Sequence, residues 1–330
     1  AIPEGLPVAM TIALSISMRR MAKRNVIVRK LVTVEALGSC TYIATDKTGT
    51  LTLNKITVSN LMSPDGVHFN VSGDGLDPSG DITPGDGELT PQYKSWIDRI
   101  CIAVALTNEG YIGKRDGQWS HKGDTVDVAM LILAHKQGII RPVLLEKNPE
   151  LDTIPYESIN QFSASLNKDN QQQLVSVKGA MERLLPMCSK MASMSGDIPI
   201  NKEKIEQQAQ QMAKHGHRVI AIVSGHLDTT QAQRISVSNL NDLTFLGLIG
   251  MKDPLRKDAP EAIKSCHDAG IKVAMVTGDH PVTALAIGRD LNLANDKTRV
   301  VTGYEIKQTE NATHDMDTLI KQTSIFARVE

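Results

Sequence analysis

Aromatic residues and paired cysteines are scarce in this sequence of 330 residues. Aromatic side chains make up 3% of it, within an apolar fraction of 41%, so we expect cores of Ile, Leu, Val, Ala and Met. The four cysteines are far apart and form no Cys-x-x-Cys pair; they are Cys40, Cys101, Cys188 and Cys266. This spacing excludes a disulfide framework and a Cys-x-x-Cys zinc site, and it is typical of a reduced, cytosolic setting.

An excess of charge of either sign is also absent, because the net charge is -1. Nothing in this balance indicates a nucleic acid partner, so none is expected. The length predicts about two domains. The sequence has no initiator Met and no signal peptide, and it stops abruptly after Phe326-Ala327-Arg328-Val329-Glu330. We expect it to be a piece of a larger protein.

One long apolar run is present, from Ala1 to Met18, and Glu4 is its only charged residue. The run is slightly shorter than the roughly 20 residues that span a bilayer. It predicts either a buried core helix or the end of a membrane helix, and the Arg and Lys residues that follow favour a cytoplasmic exit. Pro7 and Gly5 predict a break that leaves backbone carbonyls beside Glu4, as in a hard-cation site. The alternative is an ordinary helix start that Glu4 caps.

Hydrophobic periodicity and turn residues predict the other elements. Helices are expected at residues 32–37, 93–107, 126–136, 202–214, 257–269 and 281–291, and strands at 26–28, 42–44, 174–177, 218–224, 243–251 and 271–276. Asp253 is expected to cap the helix at 257–269.

Two strand ends carry residues suited to phosphate chemistry. Asp46 follows the strand at 42–44, where open α/β sheets bind their ligands, and a carboxylate can accept a phosphoryl group. Lys47 can neutralise charge, and Gly49 lets backbone approach a phosphate. Thr277-Gly278-Asp279 ends a second strand, which can bring Thr277 and Asp279 beside Asp46 to bind phosphoryl oxygens. The alternative is a pair of ordinary polar turns.

The run Asp-Lys-Thr-Gly-Thr-Leu-Thr at 46–52 resembles the phosphorylation signature of P-type ion-pumping ATPases, whose hydrolytic domain is of the haloacid dehalogenase type. The resemblance implies that Asp46 attacks the γ-phosphoryl of MgATP while Lys47 and Thr277 stabilise the charge. It also implies that Asp46 and the Thr48 carbonyl help hold Mg²⁺. Pro-Glu-Gly-Leu at 3–6 resembles the ion-binding break in the fourth membrane helix of these pumps, which makes Glu4 a ligand of the transported cation.

The middle of the chain resembles the nucleotide-binding domain of the same pumps. The matching segments are Gly-Asp-Thr-Val-Asp-Val-Ala-Met at 123–130, Ile-Pro-Tyr at 154–156, Lys-Gly-Ala at 178–180 and Gly-His-Arg-Val at 216–219. Gln161 replaces a Lys that many relatives carry near ATP. Asp-Pro-Leu-Arg at 253–256 resembles the hinge that returns the chain to the phosphorylation domain. The implied cofactor-binding residues are Asp127, Tyr156, Gln161, Lys178, Gly179, Arg218, Asp253, Arg256 and Arg328.

The resemblance implies an α/β fold in which a Rossmann-like phosphorylation domain is split by an inserted α+β nucleotide-binding domain. The expected parts are a helix end and stalk at 1–24, the phosphorylation domain at 25–55 and 252–330, and the nucleotide domain at 56–251. The family's last catalytic loop, Gly-Asp-Gly-x-Asn-Asp, is not in the sequence. This chain alone is therefore expected to bind adenine nucleotide but to turn ATP over poorly.

The implied activity is ATP-driven cation transport by a multi-pass membrane protein, with this region mainly in the cytoplasm. Pro-Glu-Gly-Leu-Pro at 3–7 favours calcium, and sodium, potassium and manganese stay open as alternatives. Two other classes also stay open at this point. A soluble phosphatase of the same fold would share Asp46 and Thr277, and a non-catalytic nucleotide-binding module would need only Tyr156 and Lys178.

Overall fold

A computed structural model describes residues 5–73, 77–227, 234–295, 297–309 and 313–329. In chain order the helices are α1 (Gly5–Ala22), α2 (Leu31–Gly38), α3 (Pro91–Leu106), α4 (Thr125–Lys136), α5 (Arg141–Lys147), α6 (Met181–Leu184), α7 (Lys202–Lys214), α8 (Ala259–Asp268), α9 (Pro281–Asp290), α10 (Gly303–Thr309) and α11 (Thr313–Gln322). The strands are β1 (Tyr42–Asp46), β2 (Thr57–Met62), β3 (His68–Val71), β4 (Ile82–Pro84), β5 (Tyr111–Arg115), β6 (Gln118–Lys122), β7 (Glu150–Ile154), β8 (Phe162–Asp169), β9 (Gln172–Gly179), β10 (Cys188–Met191), β11 (Ile198–Pro199), β12 (Arg218–Leu227), β13 (Leu243–Lys252), β14 (Lys272–Thr277), β15 (Val301–Thr302) and β16 (Ile325–Ala327). The chain is a mixed α/β protein, as the sequence predicts.

The chain separates into two compact units. The first unit contains Ala1–Asp46, Asp258–Gly278 and Gly288–Glu330. The second unit contains Lys47–Lys257 and Asp279–Ile287. The first unit is therefore assembled from segments that lie on both sides of the second unit in sequence.

The first unit contains a parallel sheet in the order β1-β14-β16-β15. Its register pairs Ala44 with Ala274 and Asp46 with Val276. Ala274 and Phe326 are buried in its core. Because neighbouring parallel strands end at the same edge of a sheet, Asp46 at the end of β1 and Thr277 at the end of β14 share one edge.

The second unit is built around a long sheet in the order β4-β3-β2-β13-β12-β9-β8-β7. Neighbouring strands in this order are antiparallel. The short strand β10 pairs in parallel with β13 and also carries β11, and β5 and β6 form a separate hairpin. The central strand β13 is buried over nearly its whole length, which explains its almost continuous run of apolar residues.

Helices cover both faces of this sheet because successive strand residues point to opposite sides. Leu246 belongs to the core beneath α3 and α4, and the adjacent Phe245 belongs to the core beneath α6 and α7. Trp96 of α3 is buried, and its indole N–H donates to the Leu246 carbonyl at 2.7 Å. The helix starts follow local capping chemistry, since Thr90 accepts from the Tyr93 amide before α3 and Asp124 accepts from the Val126 amide before α4.

Two sequence-based predictions are wrong. Residues 26–28 form no strand, because α1 continues to Ala22 and the Val26 amide then closes a turn onto the Met21 carbonyl. Asp253 does not cap the following helix, since α8 begins only at Ala259. The Asp253 carboxylate is instead bonded within the second unit, as described below.

The apolar run at the start of the sequence forms α1, and none of its described residues is buried. Pro3 and Glu4, which carry the predicted cation site, lie outside the described residues. Within the described ranges, no single helix has the length and apolarity needed to cross a membrane. α4 and α5 pass that test only as a pair bent by 78°.

Candidate functional site

A cavity of about 370 Å³ opens in the second unit. The segments that form its walls are the start of α4, the connection between β7 and β8, the end of β9 and the start of β12. Six residues that the sequence implicates in cofactor binding line it: Asp127, Tyr156, Gln161, Lys178, Gly179 and Arg218. Residues from four separate regions of the sequence therefore meet around one space.

Lys178 and Asp127 form a buried ion pair at this cavity. The Lys178 ammonium donates to the Asp127 carboxylate at 2.5 Å, and the two side chains are 8% and 14% exposed. Burial lowers the pKa of the Lys178 ammonium, and the Asp127 carboxylate opposes this effect. Removing one side chain of such a pair leaves the charge of the other buried and uncompensated. The pair therefore holds a positive group at the cavity wall, where the Asp127 carboxylate offsets part of the cost of its desolvation.

Tyr156 provides the aromatic surface of the cavity. It lies directly after β7 and Pro155, and it is 58% exposed. An exposed ring at a cavity wall can stack on a flat ligand, which gains apolar burial and a favourable offset geometry. The geometry thus suits a planar heterocycle.

Gly179 has a packing reason to be glycine. It pairs with Phe162 across β8 and β9, and a Cβ atom built on it would lie 2.5 Å from the Gln161 carbonyl oxygen. Only glycine allows β8 to approach so closely here.

Gln161 directly precedes β8 and has a left-handed backbone conformation, with φ of 60°. Its side-chain oxygen accepts from the Arg183 guanidinium at 3.3 Å, and its carbonyl accepts from the Ala180 amide at 2.9 Å. Gln161 therefore closes the cavity edge by joining the β7–β8 connection to the start of α6.

The phosphate-binding candidates of the first unit are Asp46, Thr277 and Gly278. Asp46 is exposed at the end of β1, and Thr277 is buried at the end of β14. The Thr277 carbonyl accepts from the Val329 amide at 3.2 Å, which ties the strand end to the segment after β16. Arg328, in that segment, belongs to the first unit, whereas the cavity belongs to the second.

The second unit holds Lys47, Thr48 and Asp279. The Lys47 ammonium lies 2.7 Å from the Asp279 carboxylate, with side chains 12% and 29% exposed. Thr48 is extended (φ −74°, ψ 122°) within the turn at Lys47–Leu51, and Gly49 beside it takes φ of 73°. The left-handed Gly49 permits this compact turn directly after β1.

Asp253 and Arg256 bind the chain where it enters the second unit and do not line the cavity. Asp253 accepts from the Thr52 hydroxyl at 2.5 Å and from the Lys55 amide at 3.0 Å. Arg256 donates from its guanidinium to the Gly49 carbonyl and from its amide to the Leu51 carbonyl. These bonds join the entering and leaving segments of the second unit.

Sequence reasoning missed three polar residues that border the cavity, Glu109, Asp124 and Ser163. Asp124 is the N-cap of α4, so its position next to Asp127 offered a signal. Ser163 lies on β8, where polar residues alternate with apolar ones although both are buried. This alternation is typical of a strand, but it does not show that the polar side chains are buried.

Comparison with known proteins assigns the second unit. The model of the P-type ATPase cytoplasmic domain N matches residues 96–258. A protein from Synechocystis named Cation-transporting ATPase pma1 is 39% identical over 300 residues, which cover 89% of this chain and 33% of the relative. The Calcium-transporting ATPase of Bacillus subtilis is 34% identical over 334 residues, 100% of this chain and 37% of the relative. The mouse Calcium-transporting ATPase type 2C member 2 is 33% identical over 338 residues, 99% of this chain and 34% of the relative.

The part of the chain that contains the cavity therefore matches the cytoplasmic domain N of P-type ATPases. With relatives that match along nearly the whole chain, it belongs to the P-type cation-transporting ATPase family. The chain spans about a third of the length of the curated relatives it matches.

Proposed function

We propose that the second unit binds ATP in the 370 Å³ cavity and that Asp46 accepts its γ-phosphoryl group. The whole protein is proposed to couple this cycle to cation transport across a membrane, with calcium as the cation. One observation carries the proposal. Four residues that are far apart in sequence line the same cavity, within the region that matches the P-type ATPase cytoplasmic domain N: Asp127, Tyr156, Lys178 and Arg218.

Adenine and phosphate need different surfaces, and the cavity offers both. The exposed Tyr156 ring suits stacking against adenine. Arg218 supplies positive charge for a polyphosphate, whereas the charge of Lys178 is balanced by the Asp127 carboxylate and suits contact with the adenosine part of the ligand. Glu109, Asp124 and Asp127 place carboxylates on the same wall, where they can accept hydrogen bonds from an amino group.

The proposed phosphoryl transfer uses Asp46 as the nucleophile. A carboxylate oxygen forms a bond to the γ-phosphorus, the bond from that phosphorus to the bridging oxygen breaks, and ADP leaves. Thr277, at the end of the strand beside β1, is proposed to donate to a phosphoryl oxygen, and Lys47 to offset the charge. Gly278 and Asp279 complete the proposed set.

Mg²⁺ fits the proposed donors, because the Asp46 carboxylate and the Thr48 carbonyl are the hard oxygen ligands that it prefers. When bound, it would offset negative charge on nucleophile and phosphoryl group. Asp46 is exposed at its strand end.

The finer architecture is also part of the proposal. The parallel sheet of β1 and β14–β16 is proposed to be a Rossmann-like phosphorylation domain of the haloacid dehalogenase type, at 25–55 and 252–330. The nucleotide domain at 56–251 is proposed to be inserted into it, after a stalk at 1–24. The whole protein is proposed to be a multi-pass membrane protein with this region mainly in the cytoplasm.

Calcium is the proposed cation because relatives from Bacillus subtilis and mouse carry the name calcium-transporting ATPase. Glu4, in Pro-Glu-Gly-Leu-Pro, is the proposed cation ligand of this chain. Sodium, potassium and manganese are the competitors in the test below.

Labelling of the full-length protein with γ-³²P-ATP tests the proposal. We expect acid-stable label that hydroxylamine removes and whose formation depends on calcium. Label that forms equally with sodium, potassium or manganese but not with calcium would reassign the cation. A full-length protein that binds ATP but never acquires label would overturn the role of Asp46.

A further inference from the structure

Asn108 lies directly behind the Asp127–Lys178 pair and is 3% exposed. Its amide nitrogen donates to the Asp127 carbonyl at 2.9 Å and to the Val104 carbonyl at 3.3 Å. Its amide oxygen accepts from the Gly110 amide at 2.8 Å. One buried side chain thus joins the end of α3, the first turn of α4 and the segment leading to β5.

The same corner fixes the Asp127 carboxylate from two sides. One carboxylate oxygen accepts from the Glu109 amide at 3.0 Å, and the other accepts from Lys178. The Glu109 amide is positioned by its neighbour Asn108, whose side chain holds the backbone of Asp127 itself. The direction of the Asp127 carboxylate therefore depends on Asn108, although Asn108 is not among the residues that line the cavity.

The atoms around Asn108 are packed so closely that an added methyl group nearby would displace its side chain. A Cβ atom built on Gly110 would lie 2.9 Å from the Asn108 amide oxygen and 3.4 Å from the Asp127 Cβ. Gly110 and Gly123 also approach closely, since a Cβ on Gly123 would lie 2.9 Å from the Gly110 Cα. An added methyl group at Gly110 would therefore push on Asn108 without removing any polar group.

We propose that Asn108 is a positioning residue of the nucleotide cavity, which holds the Asp127 carboxylate so that Lys178 stays paired at the wall. This inference rests on the proposed ATP binding for its role in the reaction, but its structural content can be tested without nucleotide. Loss of Asn108 should leave Lys178 less firmly paired and more open to a small reagent. Ligand affinity should fall because the cavity charge is no longer preorganised.

Acetylation of lysines by acetic anhydride, followed by peptide mass spectrometry, measures this directly in the 330-residue chain. In Asn108→Ala, we expect Lys178 to react about two- to tenfold faster, the change that one ordinary hydrogen bond corresponds to. Lys214, on α7, serves as the internal reference lysine. Titration with ATP should show binding weakened by a similar factor.

Thr107→Val is the matched control, because the buried Thr107 hydroxyl donates to the Ala103 carbonyl of its own helix and, among the described residues, contacts no part of the Asp127–Lys178 pair. Lys178 should react in it as in the wild-type chain. Gly110→Ala is the second variant if Asn108→Ala does not fold, and it should raise the Lys178 rate as well. Circular dichroism and thermal melting establish folding in each case.

Unchanged Lys178 reactivity in folded Asn108→Ala would overturn the inference, as would an equal rise in Thr107→Val. A wild-type chain that fails to bind ATP would overturn the proposed function, while the Lys178 rates would still decide the role of Asn108.

Discussion

Tyr156 is more than half exposed at the cavity wall, so most of its ring is available for contact with a ligand. We expect Tyr156→Ala to weaken ATP binding by about 1–2 kcal/mol through lost stacking and burial. Calorimetric titration of the 330-residue chain measures this. Tyr304→Ala is the control, because Tyr304 is 70% exposed and belongs to the other unit. Equal affinity in both variants would mean that the adenine ring binds elsewhere.

At the residue scale, the sequence predicts the residues whose side chains would contact a ligand directly, because short sequence patterns identify them. Tyr156, Lys178 and Arg218 are implied by short patterns and do line one cavity. Asn108 is not predictable in this way, because its role depends on three carbonyl and amide partners that come together only in the fold. The prediction for Gly179 is partly complete. The sequence pattern predicts that Gly179 lines the nucleotide site, but it does not predict the close contact with the Gln161 carbonyl.

At the scale of elements, the connection between Asp253 and Thr52 joins two segments about 200 residues apart in sequence. Asp253→Ala removes the acceptor of the buried Thr52 hydroxyl and of the Lys55 amide. We expect the free energy of unfolding to fall by about 1–3 kcal/mol. Urea denaturation measures this value.

The control for this change is Asp258→Ala. Asp258 immediately precedes α8, but its side chain makes no capping hydrogen bond. We expect its effect on the free energy of unfolding to stay within about 0.5 kcal/mol. Equal losses in the two variants would show that the Asp253 bonds add nothing to stability.

His217, between α7 and β12, makes the stability of the second unit depend on pH. Burial lowers its pKa to about 4 from an ordinary 6.5, and the Lys252 ammonium adds to this effect. A group with a depressed pKa stabilises the fold fully above its unfolded pKa. That contribution, up to about 3 kcal/mol, is lost as pH falls from 6.5 toward 4.

His217→Gln should therefore flatten the fall of unfolding free energy between pH 6.5 and 4. Glutamine can still donate to the Met212 carbonyl, which His217 contacts at 3.1 Å, and it does not titrate. Urea titrations at several pH values measure the slope. The exposed His121→Gln is the control and should keep the wild-type slope. An unchanged slope in His217→Gln would assign the pH dependence to other groups, such as His68, whose pKa is also lowered by burial.

The predicted helix at 202–214 coincides with α7, whose apolar residues recur at helical spacing. The strand predicted at 243–251 agrees with β13, whose continuous apolar run reflects burial on both faces. The sequence analysis missed β8, although Ser163, Ser165 and Asn167 alternate with its apolar residues at strand spacing, and nothing in the sequence shows that these polar side chains are buried. The strand expected at 26–28 shows the opposite failure, since its β-branched residues pair with no strand of the described sheets and Val26 and Ile27 are exposed.

For the whole molecule, Asp46 is the residue on which the proposed cycle depends. We expect Asp46→Asn in the full-length protein to bind ATP normally and to form no phosphoenzyme, because an amide oxygen is a poor nucleophile. ATP titration measures the binding, and labelling with γ-³²P-ATP measures the phosphoenzyme. Asp268→Asn, at the end of α8 in the same unit, is the control and should label normally. Stoichiometric acyl phosphate in Asp46→Asn would disprove the assignment.

The pairing of β1 with β14 has a consequence for how the chain reaches its native state. The two strands are separated by roughly 200 residues, so their register forms only after a long loop closes. The second unit, whose sheet forms within that loop, can complete its own contacts beforehand and shorten the effective distance between the strand ends. During synthesis, β1 leaves the ribosome long before its partner exists. We therefore expect the parallel sheet of the first unit to form after the sheet of the second unit.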